Sequence, residues 1–299
     1  MTSALISARD ARIDADGAVL LDSLSFEADG ARVGLLGAFG PLFRLFSSRA
    51  ELSRGSVDVL GRAARLAVAT NVLGLAPLDP VLPERWTVAD YLVASAGLIG
   101  LSRRASKGAA ADALETVEVR TLAKRKIATL SAVERRIALI AHALLGAPQA
   151  ILIERPLAQL SDDDAGVVRI AVERAAVGRR LLVMVDAPAG LGPELNLLSA
   201  MDRVAVLEAG AIVAVGPPSE ALAPSPRCVV RTGRHAPALI DALGRRGLRV
   251  EPTDEAGAEA ARLVVFLPAG ATAMTIVEAA LEVEAPLLEL VPVGLEPPG

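Results

Sequence analysis

The chain has 299 residues, of which 53% are hydrophobic, 22% charged and 2% aromatic, and it carries a net charge of −4. Such a hydrophobic fraction builds a sizeable core and excludes disorder. The acidic balance, with one Trp (Trp86) and one Tyr (Tyr91), gives no footprint for nucleic acid and no base-stacking platform. A lone Cys228 excludes an intrachain disulfide framework and fits a reducing compartment, and two distant histidines leave no expected metal site.

The first residues, Met1-Thr2-Ser3-Ala4, lack a charged region followed by an apolar run, so no signal peptide is expected. Residues 3–37 read as an antiparallel β region. Its apolar or alternating runs at 4–13, 19–27 and 31–36 are separated by the turn signals Asp16-Gly17 and Asp29-Gly30. Residues 33–46 then read V-G-L-L-G-A-F-G-P-L-F-R-L-F, a strand, a Gly-containing turn and a short helix from about Leu42. That is the layout of a phosphate-binding loop, G-x-x-x-x-G-K-[ST], without its working part. Gly37-Ala38-Phe39-Gly40 runs into Pro41, which has no N–H, and neither Lys nor Ser/Thr follows.

Two further strands are predicted at 55–60 and 67–75. Residues 87–146 read as mostly helical. Thr87-x-x-Asp90 caps a helix reaching Leu101, a second helix covers 106–117, and a third starts at Ser131 with Ile137, Ile140, Ala141, Leu144 and Leu145 on one face. The most apolar stretch, 137–153, is interrupted by Pro148 and falls short of the ~20 residues of a membrane helix. It divides into a buried helix and a buried strand at 150–153. A helix over 162–177 opens on Asp162-Asp163-Asp164, favourable at a helix N-terminus rather than a metal signature. A strand at 181–185 and a hairpin around Ala209-Gly210 follow. After a linker at 223–226, the order strand 228–232, helix 236–246, strands 248–251 and 263–267, helix 272–283 and strand 287–291 is the ferredoxin-like β-α-β-β-α-β signature.

Six landmarks in order carry a family resemblance: Leu21-Asp22-Ser23-Leu24-Ser25-Phe26, the run from Val33 to Gly40, Leu130-Ser131 through Pro148, Ile151-Leu152-Ile153 with Pro156, Asp202-Arg203-Val204 through Gly210, and Gly216-Pro217. On these, residues 3–222 resemble the ATP-binding subunit of an ABC transporter, and the tail is similar to the small C-terminal domain of some bacterial export-type subunits. The resemblance implies an α/β, P-loop NTPase-like ABC nucleotide-binding fold with a mixed sheet, an antiparallel β region and a helical subdomain at about 84–146. This first domain is expected over 1–222, and an α+β ferredoxin-like domain over 227–299.

The resemblance also places the family's functional positions. The adenine-stacking aromatic falls at Ala15-Asp16-Gly17, and the Mg²⁺-sensing Gln on Leu78. The L-S-G-G-Q signature becomes Leu130-Ser131-Ala132-Val133-Glu134. The Walker B Asp falls on Glu154, the catalytic Glu on Arg155, the D-loop Asp on Ser161 and the switch His on Asp186. Phosphate binding rests on charge-assisted hydrogen bonds of about 1.5–3 kcal/mol each, so these losses would remove most of a micromolar affinity. Arg155 stays protonated and cannot act as a base. Ser131-x-x-Glu134 spells a capping box that supplies an anion to its own helix start. Arg155 and Asp186 either form an ion pair across the vacated site or are solvated separately.

The expectation is therefore a catalytically inactive ABC-type subunit that binds neither ATP nor Mg²⁺. It would lie in the cytoplasm, peripheral to the inner membrane, against a permease and beside an active ATP-binding subunit or a second copy of itself. Pro77, Val81, Leu82, Pro83 and Trp86 lie where the family docks its permease helix. A permease-independent homodimeric scaffold is the alternative, and a slow, unorthodox ATPase using Glu154 as metal ligand is a third reading. Lys124-Arg125-Lys126 reads as a solvated turn, His142 as structural, and Cys228 as buried and inert.

Overall fold

The computed structural model describes residues 4–186, 192–223, 226–233, 235–253, 261–268 and 271–293. The expected linker at 223–226 therefore lies partly outside the described residues, as does the loop after Asp186. The chain opens with β1 (Ile6–Ala15) and β2 (Ala18–Ala28), an antiparallel pair joined at Asp16-Gly17, both at positive φ (+53° and +78°). That is the conformation an Asp-Gly hairpin turn needs. Next come β3 (Arg32–Gly37), α1 (Gly40–Phe46), β4 (Glu51–Val59), β5 (Arg62–Ala63), α2 (Ala64–Ala69) and β6 (Leu73–Ala76). The first sheet is β2-β1-β4-β5.

The strand expected at 31–36 does not belong to that antiparallel sheet. β3 is buried almost throughout and lies parallel between two strands of a second sheet, as a continuous apolar run favours. The strand expected at 67–75 is divided as well: its first half is α2, and the chain turns at Asn71 (φ +54°) before β6. The Asn71 side chain fixes that turn by donating to the Leu145 and Gly146 carbonyls at 3.2 and 2.9 Å. Period alone does not separate a short apolar helix from a buried strand.

The helical part comprises α3 (Val88–Leu98), α4 (Arg103–Thr116), two 3₁₀ turns (Arg120–Lys124 and Ile127–Thr129) and α5 (Ala132–Ala143). Thr87 and Asp90 form the predicted capping box of α3. The α/β pattern resumes with β7 (Ala150–Glu154), α6 (Asp162–Ala175), β8 (Arg180–Val185), α7 (Gly192–Ser199), β9 (Arg203–Glu208), β10 (Ala211–Gly216) and α8 (Pro218–Ala221). The central sheet runs β10-β9-β3-β8-β7-β6, parallel except for β10. Its faces feed two cores, one with the helical part and one with the β1–β2–β4 sheet and α1.

The last elements are β11 (Arg227–Thr232), α9 (Ala236–Arg245), β12 (Arg249–Pro252), β13 (Ala261–Phe266), α10 (Ala273–Glu282) and β14 (Leu287–Val293). The sheet order β12-β13-β11-β14, antiparallel throughout, is ferredoxin-like. One face packs its helices around Cys228, Val230 and Leu263. Val229 and Val264 belong instead to the core of the preceding unit, and Arg227 and Arg262 donate to the carbonyls of Val213 (2.9 Å) and Gly210 (3.0 Å).

Candidate functional site

The C-terminal ends of parallel strands are where open α/β sheets hold ligands. Here β3 ends at Gly37 and β7 at Glu154, while Asp186 follows β8; the three strands are neighbours in register, with Leu36 opposite Val185 and Glu154 opposite Met184. They bring Gly37, Gly40, Pro41, Glu154, Arg155 and Asp186 around one cavity of about 270 Å³.

The turn after β3 is held by its own backbone and by apolar anchors. Gly37 has φ +114°, and a Cβ there would lie 1.9 Å from the Leu207 carbonyl oxygen, so no other residue fits without moving β9. The Phe39 amide donates to the Gly37 carbonyl (2.7 Å) and the Leu42 amide to that of Phe39 (2.9 Å), while Pro41 has none to offer. Three amides of the turn are thus occupied or absent. The Phe39 ring is fully buried edge-on to Phe26 (centroids 5.8 Å), and Phe43 and Phe46 of α1 are buried beside it. Hydrophobic burial fastens the turn from below.

Around this turn the side chains satisfy one another. Arg155 Nε lies 3.0 Å from Asp186 Oδ2, forming the ion pair. Both side chains are about one-third to one-half exposed, so the pair stabilises the fold by less than about 1 kcal/mol. Glu154 accepts from the Leu78 amide at 2.9 Å, which ties together the positions expected for Walker B and for the Mg²⁺-sensing residue. Arg155 itself has φ +46°, with its amide donating to the Met184 carbonyl (2.8 Å).

Arg136 was not read from the sequence. It lies one turn into α5, beside the buried stripe of Ile137 and Ile140, and its Nη1 donates to the Arg155 carbonyl at 2.6 Å. Burial pushes its guanidinium below the usual value; Asp79 and Glu154 oppose this and Arg155 adds to it. The sequence signal was a cation at the margin of an apolar helix face, but nothing local indicated its partner.

The remaining expected positions lie elsewhere. Ala15 is in the β1–β2 hairpin, paired with Ala18. Ser131 and Glu134 form the predicted reciprocal capping box, with Ser131 N–H donating to Glu134 (2.8 Å) and Glu134 N–H to Ser131 Oγ (3.2 Å). Glu134 also pairs with Arg125, which donates to the Thr129 carbonyl. Ser161 caps α6 by accepting from the Asp164 amide at 3.3 Å, above the acidic first turn. Leu78, Pro77, Arg44 and Arg49 line an adjoining groove of about 460 Å³ that shares Gly40, Pro41 and Glu154 with the first cavity. Val81 is fully exposed and Trp86 46% exposed; Pro77 and Pro83 are half-buried, and Leu82 packs against the core.

His142 is structural. Its ring stacks on Tyr91 (5.4 Å, 21°), its Nδ1 lies 3.2 Å from the Leu75 carbonyl oxygen, and desolvation holds its pKa below the ordinary 6.5. Cys228 is buried, and burial pushes its thiol pKa up. Among the described residues, no three His, Cys, Asp or Glu side chains are grouped to hold a metal, and no helix is long and apolar enough to cross a membrane.

The layered α/β fold is that of an ATP-binding cassette. The chain is similar in fold to cbiO1 of Clostridium perfringens, part of the ABC transporter complex cbiONQ. That match has a TM-score of 0.60 at 16% identity and covers 73% of this chain and 90% of that one. It is similar also to MJ1267, an ATP-binding cassette of an ABC transporter, with a TM-score of 0.59 at 19% identity over 72% and 92% of the two chains. At these identities the likeness concerns the fold alone.

In sequence the chain is 31% identical over 216 residues to the hemin import ATP-binding protein HmuV of Thermobifida fusca, covering 67% of this chain and 72% of the relative. It is 28% identical over 207 residues to the Nod factor export ATP-binding protein I of Mesorhizobium japonicum, covering 67% of this chain and 59% of that one. No family model matches the chain. The chain belongs to the family of ABC transporter ATP-binding proteins.

Proposed function

We propose that this chain is a catalytically inactive member of its family, a structural or regulatory component of a membrane ABC transporter-like complex. In that complex it pairs with an active ATP-binding subunit and docks on a permease. The observation that carries the reading is the Arg155–Asp186 ion pair at the cavity lined by Gly37, Gly40 and Pro41. A cation stands at the position of the general base, and an anion at the position of the switch histidine.

The surrounding donor set does not fit Mg-ATP. Glu154 is engaged by the Leu78 amide, amides that would cradle phosphate are engaged or missing, and α5 begins with its own carboxylate. Phosphoryl transfer needs positioned cations, Mg²⁺ and a base at one place, and no step of it is assigned to these residues. The exposed Val81 and Trp86, with the half-buried Pro77 and Pro83, are the surface we assign to the permease.

Calorimetry with Mg-ATP tests the first half. The expected outcome is no binding tighter than about 10 µM, equivalent to about −7 kcal/mol; tighter binding with phosphate release overturns inactivity. A pull-down from native membranes tests the second half. An active ATP-binding subunit and a permease should be recovered together, and recovery of neither overturns the partner assignment.

A further inference from the structure

The end of the central sheet opposite the candidate site holds a second feature. β3 and β8 are parallel neighbours that begin at Arg32 and Arg180, with Arg179 immediately before β8. The three arginines line an open groove of about 730 Å³ whose remaining lining, among the described residues, includes Leu60, Ala176 and Val177 and no carboxylate. In a chain with a net charge of −4, a groove lined by three cations and no anion is not accounted for by average composition.

The nearby carboxylates are already engaged. Asp202 accepts from the Ala31 and Arg32 amides at 2.7 and 2.9 Å, and Asp29 pairs with Arg203 at 3.3 Å. Among the described residues, none of Arg32, Arg179 and Arg180 has an ion pair. Arg179 and Arg180 each donate to one backbone carbonyl, of Val177 and Gly30, which uses one of a guanidinium's five N–H donors. The Arg32 side chain makes no hydrogen bond among the described residues.

We propose that this groove binds an acidic, partly apolar segment of a partner protein. The guanidiniums suit carboxylates in bidentate geometry. Beside them Val177 is 69% exposed, with Leu60 and Ala176 adjoining, so an apolar side chain next to the carboxylates also gains burial. Among the described residues, no aromatic lines the groove to stack a base, which disfavours a nucleotide or nucleic acid. Free phosphate makes no use of the apolar part.

The test is fluorescence anisotropy of the full chain with a labelled peptide alternating glutamate and leucine, alongside a lysine–leucine control. The acidic peptide should bind and the basic one should not, with affinity falling as salt is raised. Arg32→Gln and Arg179→Gln should each weaken binding about tenfold, whereas Arg155→Gln, at the other end of the strands, should leave it unchanged. Arg32 anchors no backbone group, so its variant should keep the wild-type melting temperature. Equal binding by a folded Arg32→Gln variant, or no binding by the wild type, overturns the proposal. So does displacement of the peptide by equimolar inorganic phosphate, or sedimentation with phosphatidylserine vesicles that depends on the same arginines. The Arg155→Gln arm separates this outcome from any failure of the reading of the candidate site.

Discussion

On the proposed reading, the turn after β3 and the first turn of α5 are two places where phosphate would have been met, and they are closed by opposite devices. The turn is closed by subtraction. Pro41 removes a donor, Phe39 and Leu42 engage their amides internally, and buried phenylalanines hold the shape. The start of α5 is closed by addition: Glu134 brings a carboxylate to the helix start and takes a second partner in Arg125. The first device belongs to the core and carries large energies, whereas the second lies at the surface and carries small ones. On the proposed reading, an anion site is lost either by reshaping the core beneath it or by supplying the anion from within.

Mutations rank the two devices. Phe39→Ala empties a fully buried aromatic site and should destabilise by about 3–5 kcal/mol, seen as a large fall in thermal midpoint. A midpoint within a degree of wild type would mean that hydrophobic burial does not hold the turn. At α5, Ser131→Ala should cost about 1 kcal/mol, and Glu134→Gln less, because an amide oxygen still accepts from the Ser131 N–H while the charge facing Arg125 is lost. Urea titration of both variants reads the difference. A cost for Ser131→Ala matching that of Phe39→Ala would erase the contrast.

The Arg155–Asp186 pair should show a coupling of about 0.2–1 kcal/mol in a double-mutant cycle, reduced by salt. A coupling above about 2 kcal/mol would make it a structural strut. The smallest effect concerns the far part of α5. The pKa of His142 is held below 6.5 in the fold, so the unfolded chain takes up its proton first. Stability should be full above about pH 6.5 and decline on acidification toward the depressed folded value. His142→Gln should flatten that part of the pH–stability curve.

How much was legible depended on range. Caps and turns were read correctly because their signals lie within a few residues: Thr87 with Asp90, Ser131 with Glu134, and Asp16 with Gly17. The β-α-β-β-α-β order of the last elements was likewise visible from alternating runs. The helical identity of α2 was missed because a short apolar run has no decisive period, and neither α7 nor α8 was read. The partner of Arg155 was anticipated only because the family resemblance places both residues at neighbouring strand ends. Arg136, distant in sequence and without a motif, was not anticipated.

The sequence by itself determined that the turn at Gly37–Pro41 has no Lys, hydroxyl or Pro41 amide for phosphate, that α5 caps itself, and that the order of elements suits an ATP-binding cassette. Those are properties of residue type and short spacing. Only the tertiary structure decided that β3 leaves the antiparallel region for the centre of a parallel sheet, that Glu154 holds the Leu78 amide, and that Arg136 reaches the Arg155 carbonyl. The arginine-lined groove at the opposite end was decided there too. Strand order and the convergence of side chains from distant segments follow from how two cores close on the faces of one sheet, and that closure is fixed by packing across the whole chain rather than by any local pattern.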